Sequence, residues 1–323
     1  MRPKLFIDSG AFTAKTKGQL LSISEYAGFL KQWSRYISVS AGLDVIPDPE
    51  ATWKNQQEIE SYGLTPTPLP TFHIGEDFKW LQKYANEYDY IGLGGTASKK
   101  YSVAQRLEWL DICWGQYLTN ADGLPLTRVH GFAATGIDVM RRYPWHSVDS
   151  TSWIMSSAMG KAQFCLPDAW TGEPDIVTLD ISDKSPSRDD RGGHYETLTP
   201  GQKAAIQALA LERDADLSKL ATDYVARFMT NARAYMDFAK LIPYRPFEVA
   251  RAGDLFGARH ERPTRAACKP WDHLTFYLAG EPTTEVSEQL IRLGYNRLLS
   301  YWYIREKQER HFLPTIRIMD TYQ

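Results

Sequence analysis

Polar side chains and glycines stand where the predicted strands of this sequence end. They are Asp8, Asp44, His73, Gly94, Gly95, His130 and Asp149. A carboxylate can act as a nucleophile or move a proton, and a histidine can donate a hydrogen bond or transfer a proton. Each residue also has a structural explanation, since carboxylates cap helices, glycines serve tight turns and histidines are often buried and satisfied. Their convergence on one edge of a sheet favours a functional site.

Strands and helices alternate in the part of the chain that would position these residues. Before residue 150 the sequence predicts six strands, at 4–8, 42–46, 69–73, 90–94, 127–132 and 146–149. Amphipathic helical stretches separate them, and Ser22 or Ser24 and Ser102 are suited to cap two of these helices. Alternation at this spacing is typical of parallel β/α units.

An insertion interrupts this alternation of strands and helices between about residues 160 and 245. Residues 162–182 predict a hairpin that turns at Thr171 and Gly172, and 182–196 predict a polar loop. Residues 199–242 then predict a long helical region. We interpret 160–245 as an inserted hairpin with a helical elaboration.

The tail of the chain again alternates strands with a helix, as the first half does. Two further strands are predicted at 274–280 and 296–303, with a helix at 283–294 between them. Six strands and two make eight, so the sequence predicts an α/β fold, a single (β/α)8 TIM-type barrel domain over residues 1–323 that carries the insertion. In such a barrel the active site lies at the C-terminal ends of the strands.

Composition restricts the classes of function. The 323 residues include 37 basic and 39 acidic side chains, a net charge of −2, so no global field attracts a polyanion. Cys113, Cys165 and Cys268 form no CxxC pair, which argues against a cysteine-rich zinc site and favours a reducing compartment. No apolar stretch is long enough to span a bilayer. We expect no metal site, no membrane partner and a cytoplasmic protein (in the host cytoplasm if it is encoded by a phage).

The stretch 244–271 is a candidate nucleic-acid contact. It carries six basic and three acidic residues, a local charge of +3, and its candidate phosphate ligands are Arg259, Arg262, Arg265 and Lys269. Aromatic residues lie between them and are suited to stack on bases. The alternative is a solvated loop with ordinary surface arginines.

Short motifs in this order resemble those of the tRNA-guanine transglycosylase superfamily. They are DSGAF (8–12), LDVIPD (43–48), FHIG (72–75), GLGGTAS (92–98), VHGFAAT (129–135) and HSVDST (146–151). DSGAF is similar to the DSGGF/Y motif of that superfamily, and the ordered set covers nearly half of the chain. The overall pattern is closest to the short, phage-type branch that acts on DNA, the 7-deazaguanine DNA transglycosylases.

The resemblance implies catalytic roles for two carboxylates. Asp149 matches the nucleophile that attacks C1′ of the nucleotide and displaces guanine, and Asp8 matches the general acid/base. Exchange of one base for another with retention requires two displacements, in which a carboxylate holds the glycosyl group covalently between them. No metal or organic cofactor is implied. The partners would be DNA and a free 7-deazaguanine base, such as a queuosine or archaeosine precursor.

The resemblance also implies a binding site for the base. Asp44 would accept hydrogen bonds from guanine N1–H and the amino group, His73 and the backbone at Gly94–Gly95 would face the base carbonyl, and Phe12 and His130 would sandwich the ring.

Two departures from the tRNA enzymes favour DNA as the substrate. Those enzymes carry a CxCxxC zinc site, and they begin with two strands ahead of DSGGF, whereas Asp8 is almost at the start of this chain. We hypothesise that the tail strands at 274–280 and 296–303 supply the missing pair, in a circularly permuted closure of the barrel. The alternatives are a tRNA-guanine transglycosylase, a hydrolytic N-glycosylase with the same site, and a non-catalytic nucleic-acid-binding barrel.

Overall fold

The computed structural model describes residues 2–134, 136–185, 188, 193–248, 265–280, 283–306 and 312–322. Eight parallel strands form one curled sheet in the order β2-β1-β10-β9-β6-β5-β4-β3. They are β1 Leu5–Asp8, β2 Ile37–Ser40, β3 Thr71–His73, β4 Tyr90–Gly94, β5 Arg128–Gly131, β6 Ser147–Ser150, β9 Thr275–Ala279 and β10 Arg297–Ser300. The predicted α/β class is confirmed.

The curled sheet is not closed into a full barrel. Strands β2 and β3 stand at its two edges and form no ladder with each other. A single parallel bridge between Ala41 and Leu69 links the chain just after β2 to the chain just before β3. The fold is therefore TIM-like, with an open seam at this position.

The two tail strands belong to the same sheet as the first six. β10 pairs with β1, with Leu5 opposite Arg297 and Asp8 opposite Ser300, and β9 pairs with both β10 and β6. The chain therefore places its last strands between its first and its sixth. Ser300 comes to lie at the strand end beside Asp8.

The predicted strand at 42–46 is wrong. The second strand is Ile37–Ser40, and residues 42–46 form a loop that follows it. The cause is that the helical periodicity of the preceding stretch extends to Ile37, whereas the helix ends at Gln32. Asp44 therefore reaches the sheet edge from a loop, four residues beyond the end of its strand.

Helices follow the strands and cover the sheet. They are α1 Ala11–Thr16, α2 Ile23–Gln32, α3 Pro49–Ser61, α4 Phe78–Glu87, α5 Val103–Ile112, α6 Ile137–Arg142 and α7 Ser152–Ala158; a π-helix, Cys113–Leu118, continues α5. The Ser22 side chain accepts from the Glu25 N–H, and Ser102 forms a reciprocal capping box with Gln105. Both predicted N-caps, Ser22 and Ser102, are confirmed.

The insertion consists of the predicted hairpin and a helical region. The hairpin is β7 Lys161–Pro167 and β8 Pro174–Asp180, and the helices are α8 Pro200–Glu212, α9 Leu217–Thr222 and α10 Tyr224–Leu241. The buried Asn231 of α10 accepts from the Gln163 N–H and donates to the Lys161 carbonyl, which fixes the hairpin to this helix. The tail helices are α11 Thr284–Arg292, α12 Tyr301–Glu306 and α13 Phe312–Met319.

Apolar side chains fill both sides of the sheet. Inside the curl, Phe6, Tyr277 and Leu298 pack together, and none is more than 7% exposed. Outside it, the strands pack against the helices through a larger cluster that includes the buried Trp114 and Trp145. The curl is thus a packed core rather than an open channel. Within the described ranges, no helix is long and apolar enough to cross a membrane.

Candidate active site

Besides His130 on β5, four of the predicted site residues lie on strands that end at the same edge of the sheet. Asp8 ends β1, His73 ends β3, Gly94 ends β4, and Asp149 is the penultimate residue of β6. Because all eight strands are parallel, their carboxyl ends share this edge. Asp44 joins them from the loop after β2.

The Asp8 carboxyl is partly buried and lies among other carboxylates. Burial and, to a smaller extent, the negative charges of Asp44 and Asp149 together raise its pKa to about 7, against hydrogen bonds from the N–H groups of Ser9 and Gly10. A carboxyl group with this pKa carries its proton in much of the population at neutral pH. Asp8 is therefore suited to give and take a proton.

Gly10 gives the site its shape beside Asp8. It has a φ of 75°, and a Cβ at this position would lie 2.5 Å from Ser300 Oγ and 2.5 Å from Trp302 Cβ. Only glycine combines the left-handed backbone with this close approach. Ser300 Oγ is buried and makes no hydrogen bond within the described part of the chain. A buried polar group of this kind suits a ligand contact.

Asp149 is held by two hydrogen bonds to one oxygen. Its Oδ1 accepts from the Ala133 N–H at 3.0 Å and lies 3.3 Å from His130 Nε2. Ala133 delivers its N–H from a left-handed conformation with a φ of 53°, which costs a non-glycine residue about 1–2 kcal/mol. Strain of this kind clusters at functional sites. The neighbouring Ser150 hydroxyl accepts from the Ser152 N–H.

The predicted role of His130 in stacking on the base is wrong. Its side chain is fully buried inside the curl, and its ring centroid lies 4.6 Å from that of Phe6 and 4.5 Å from that of Phe132. The strand turns this side chain toward the interior, below the edge at which a base would enter. His130 contacts Asp149 from beneath. Burial lowers its pKa, against the opposing effect of Asp149.

A second cluster consists of Asp44, His73 and Glu76. His73 Nε2 lies 3.5 Å from Asp44 Oδ2, and His73 Nδ1 lies 3.5 Å from Glu76 Oε1. Burial lowers the pKa of His73, but the carboxylates of Asp44 and Glu76 raise it to a net value above the ordinary one. Burial raises the pKa of Asp44 to about 6. Asp44 Oδ1 is buried without a hydrogen-bond partner in the described ranges, so it is available to a ligand.

Glu76 was not among the residues expected from the sequence. Its other carboxylate oxygen accepts from the His73 N–H at 3.0 Å, and its side chain is only 6% exposed. A local sequence pattern could have identified Glu76, because an acidic residue three positions after a histidine at a strand end can contact that histidine across a tight turn.

The glycines Gly94 and Gly95 make room for this cluster. A Cβ at Gly94 would lie 2.6 Å from the Cδ2 atom of His73, so a side chain there would displace the imidazole. Gly95 has a φ of 84°. Phe12, in α1 directly after the end of β1, is 67% exposed and is free to contact a ligand at this edge.

Of the four predicted phosphate ligands, Arg265 is not brought together with these residues. Arg259 and Arg262 lie outside the described residues. Arg265 donates to the carbonyls of Ala85 and Tyr88 and pairs with Asp89, immediately before β4 and thus at the opposite end of the sheet. Lys269 is exposed. That this stretch binds nucleic acid remains a prediction.

The site is strongly acidic. Asp8, Asp44, Glu76 and Asp149 meet there, and the histidines His73 and His130 lie beside them. Among the described residues, no group of three or more histidine, cysteine, aspartate or glutamate side chains has an arrangement that could hold a metal ion.

No protein-family model matches the chain, and searches of curated proteins and of solved structures find no match either. Function is therefore inferred from the side chains and the motifs that carry them.

Proposed function

We propose that the protein exchanges guanine in DNA for a 7-deazaguanine base through a glycosyl ester on Asp149. The observation that carries this proposal is the pair of carboxyl groups at one strand edge with different surroundings. Asp8, with a pKa of about 7, is suited to hold a proton, whereas Asp149 accepts two hydrogen bonds. Two carboxyl groups whose environments differ in this way divide acid and nucleophile between them.

The first displacement uses both groups. A carboxylate oxygen of Asp149 forms a bond to C1′ as the bond from C1′ to N9 of guanine breaks, and the electron pair of that bond leaves with the base. The Asp8 carboxyl gives its proton to the departing base. The products are a glycosyl ester on Asp149, neutral guanine and an Asp8 carboxylate.

The second displacement reverses these roles. Asp8 takes the N–H proton of the incoming 7-deazaguanine, whose N9 bonds to C1′ while the ester bond breaks toward Asp149. Both carboxyl groups return to their starting states, so each cycle needs no other proton donor and no cofactor.

The second cluster is suited to read the base. The free Oδ1 of Asp44 would accept from the N1–H and amino group of guanine, which a 7-deazaguanine shares. His73, with its raised pKa, would donate to the base carbonyl. Phe12 would stack on the ring from the edge of the site.

DNA must be bound outside this acidic site, because carboxylates repel phosphates. Arg259 and Arg262, in the stretch 244–271, are the basic residues proposed to contact the phosphates. Extrusion of the base from the duplex costs a few kcal/mol, which contacts in the pocket must offset. We assign the reaction to DNA rather than to tRNA on the absence of a CxCxxC motif from the sequence. We propose that the protein meets DNA and the free base in the cytoplasm.

Mass spectrometry of nucleosides tests the assignment. DNA and RNA are isolated from cells that express the protein with a 7-deazaguanine supply, and each is digested and analysed for the modified nucleoside. Cells that express Asp149→Asn are the control. We expect the nucleoside in DNA and only with the wild type. Its presence in RNA alone would indicate the tRNA reaction. Abasic sites would indicate a hydrolytic glycosylase. If neither the modified nucleoside nor abasic sites were found, the protein would be a non-catalytic nucleic-acid-binding protein.

A further inference from the structure

A row of hydrogen-bonded side chains crosses the interior of the sheet beneath Asp149. The Tyr90 hydroxyl lies 2.5 Å from Ser147 Oγ, and Ser147 Oγ lies 2.6 Å from His130 Nδ1. His130 Nε2 then lies 3.3 Å from Asp149 Oδ1. The exchange of bases described above uses none of Tyr90, Ser147 and His130.

The row extends from one end of the sheet to the other. Tyr90 begins β4 and lines a cavity of about 940 Å³ at the N-terminal ends of the strands, together with Lys4, Arg128 and His146. Ser147 and His130 are fully buried. Burial of polar groups in an apolar core is costly unless each hydrogen bond is made, so this row requires a reason beyond packing.

One charge sets the direction of every hydrogen bond in the row. An ionised Asp149 only accepts, so His130 must carry its proton on Nε2. Burial lowers the pKa of His130, so the ring is neutral and Nδ1 must accept from the Ser147 hydroxyl. Ser147 has then used its only proton, and it accepts from the Tyr90 hydroxyl.

We propose that His130 is a positioning residue for the Asp149 nucleophile, and that Ser147 and Tyr90 hold it in the tautomer that donates to Asp149. This inference rests on the proposed function for its kinetic consequence, but the tautomer itself does not. Both described hydrogen bonds to Asp149, from Ala133 and from His130, go to Oδ1. Oδ2 is therefore the oxygen that attacks C1′, and the carboxylate plane is fixed before the nucleotide arrives.

Nitrogen-15 NMR of the imidazole rings measures the tautomer directly in the free protein. The chain has seven histidines, and the signal that is lost in His130→Gln identifies His130. We expect a neutral ring with its proton on Nε2 at pH 7. In Ser147→Ala the Nδ1 partner is lost, so the two tautomers should become mixed. A proton on Nδ1 in the wild type would overturn the proposal, and so would an unchanged spectrum in Ser147→Ala.

Single-turnover kinetics measures the effect on Asp149. Ser147→Ala should slow formation of the glycosyl ester about tenfold and Tyr90→Phe by less, with little change in KM for the free base, because neither residue touches the base. In His130→Leu the rate of ester formation should fall about 100-fold. In His130→Gln, which keeps an N–H donor near Nε2, this rate should stay within about tenfold of the wild-type rate. Tyr277→Phe removes a hydroxyl from the same cavity wall and is the matched control.

The two proposals fail in different ways. If no substrate forms an ester, but His130 carries its proton on Nε2 and the tautomer changes in Ser147→Ala, the proposed function is wrong. The claim that Ser147 and Tyr90 fix the tautomer of His130 is then still supported. If the ester forms but Ser147→Ala and His130→Leu react at the wild-type rate, Asp149 is positioned by other groups and the role of His130 is wrong.

Discussion

Replacement of Asp8 by asparagine should make the protein more stable at neutral and alkaline pH. The pKa of Asp8 is raised from 3.8 to about 7 by burial and by the charges of Asp44 and Asp149. Between these two pH values the folded protein keeps a proton on Asp8 that the unfolded chain has lost. The contribution of Asp8 to the free energy of unfolding therefore falls as pH rises through this range and levels off above pH 7. Asparagine does not ionise, so Asp8→Asn removes this loss.

The size of the effect follows from the shift in pKa. A shift of about three units, at about 1.4 kcal/mol per unit, corresponds to about 4 kcal/mol above pH 7. Since the Asp8 side chain is partly exposed, water reduces this amount. The gain in the free energy of unfolding should be close to zero below pH 4, and it should grow by about 2 kcal/mol between pH 5 and pH 8.

Urea denaturation of the wild type and Asp8→Asn at pH 5 and pH 8 measures the gain. Asp122→Asn, which removes one exposed carboxylate, is the control for net charge, and its effect should be the same at both pH values. Asp8→Asn should also lose base exchange, so stability should rise as activity falls, as is typical of catalytic groups. Equal effects of Asp8→Asn at pH 5 and pH 8 would refute the elevated pKa and, with it, the assignment of Asp8 as the acid.

Three further predictions concern the backbone, the base pocket and the nucleic-acid contact. Ala133→Gly should raise the free energy of unfolding by about 1 kcal/mol with exchange retained, because glycine adopts the positive φ without strain and keeps the N–H; a drop in the urea midpoint would contradict this. Gly94→Ala should raise KM for the free base more than it lowers kcat, because its Cβ would displace the His73 ring; an unchanged KM would mean that His73 does not contact the base. Arg259→Ala with Arg262→Ala should reduce the salt slope of DNA binding by about 2, as expected for two lost phosphate contacts; an equal slope in a titration from 50 to 200 mM salt would mean that these arginines do not contact phosphates.

Sequence alone places Asp8, His73, Gly94 and Asp149 correctly at the ends of strands. Asp8, His73 and Gly94 each follow a short, mainly apolar run that is buried in a parallel sheet, and such runs are recognisable without a structure. Asp149 follows Val148 in a run that also holds His146 and Ser147. A polar residue at the end of such a run marks the edge where parallel strands present their carboxyl ends. The link from β10 to β1 was likewise expected from the count of strands.

The role of His130 was not predictable in the same way. In a strand with both faces buried, apolar residues do not alternate with polar ones, so the pattern cannot tell which face a histidine occupies. The loop position of Asp44 and the presence of Glu76 in the site required the structure for another reason, since the path of a loop depends on tertiary contacts rather than on periodicity. Their pairing across His73 appears only once the two loops meet.

The central claim is that Asp149 becomes covalently bonded to the sugar. Wild-type protein incubated with a guanine-containing DNA oligonucleotide, without an incoming base, should yield an adduct that withstands denaturation, and peptide mapping should assign it to Asp149. Asp149→Asn should yield no adduct and lose exchange by several orders of magnitude while it still binds the oligonucleotide, because the amide keeps the shape but not the nucleophile. If Asp149→Asn exchanges bases at nearly the wild-type rate, or if the adduct maps to Asp8, Asp149 is not the nucleophile.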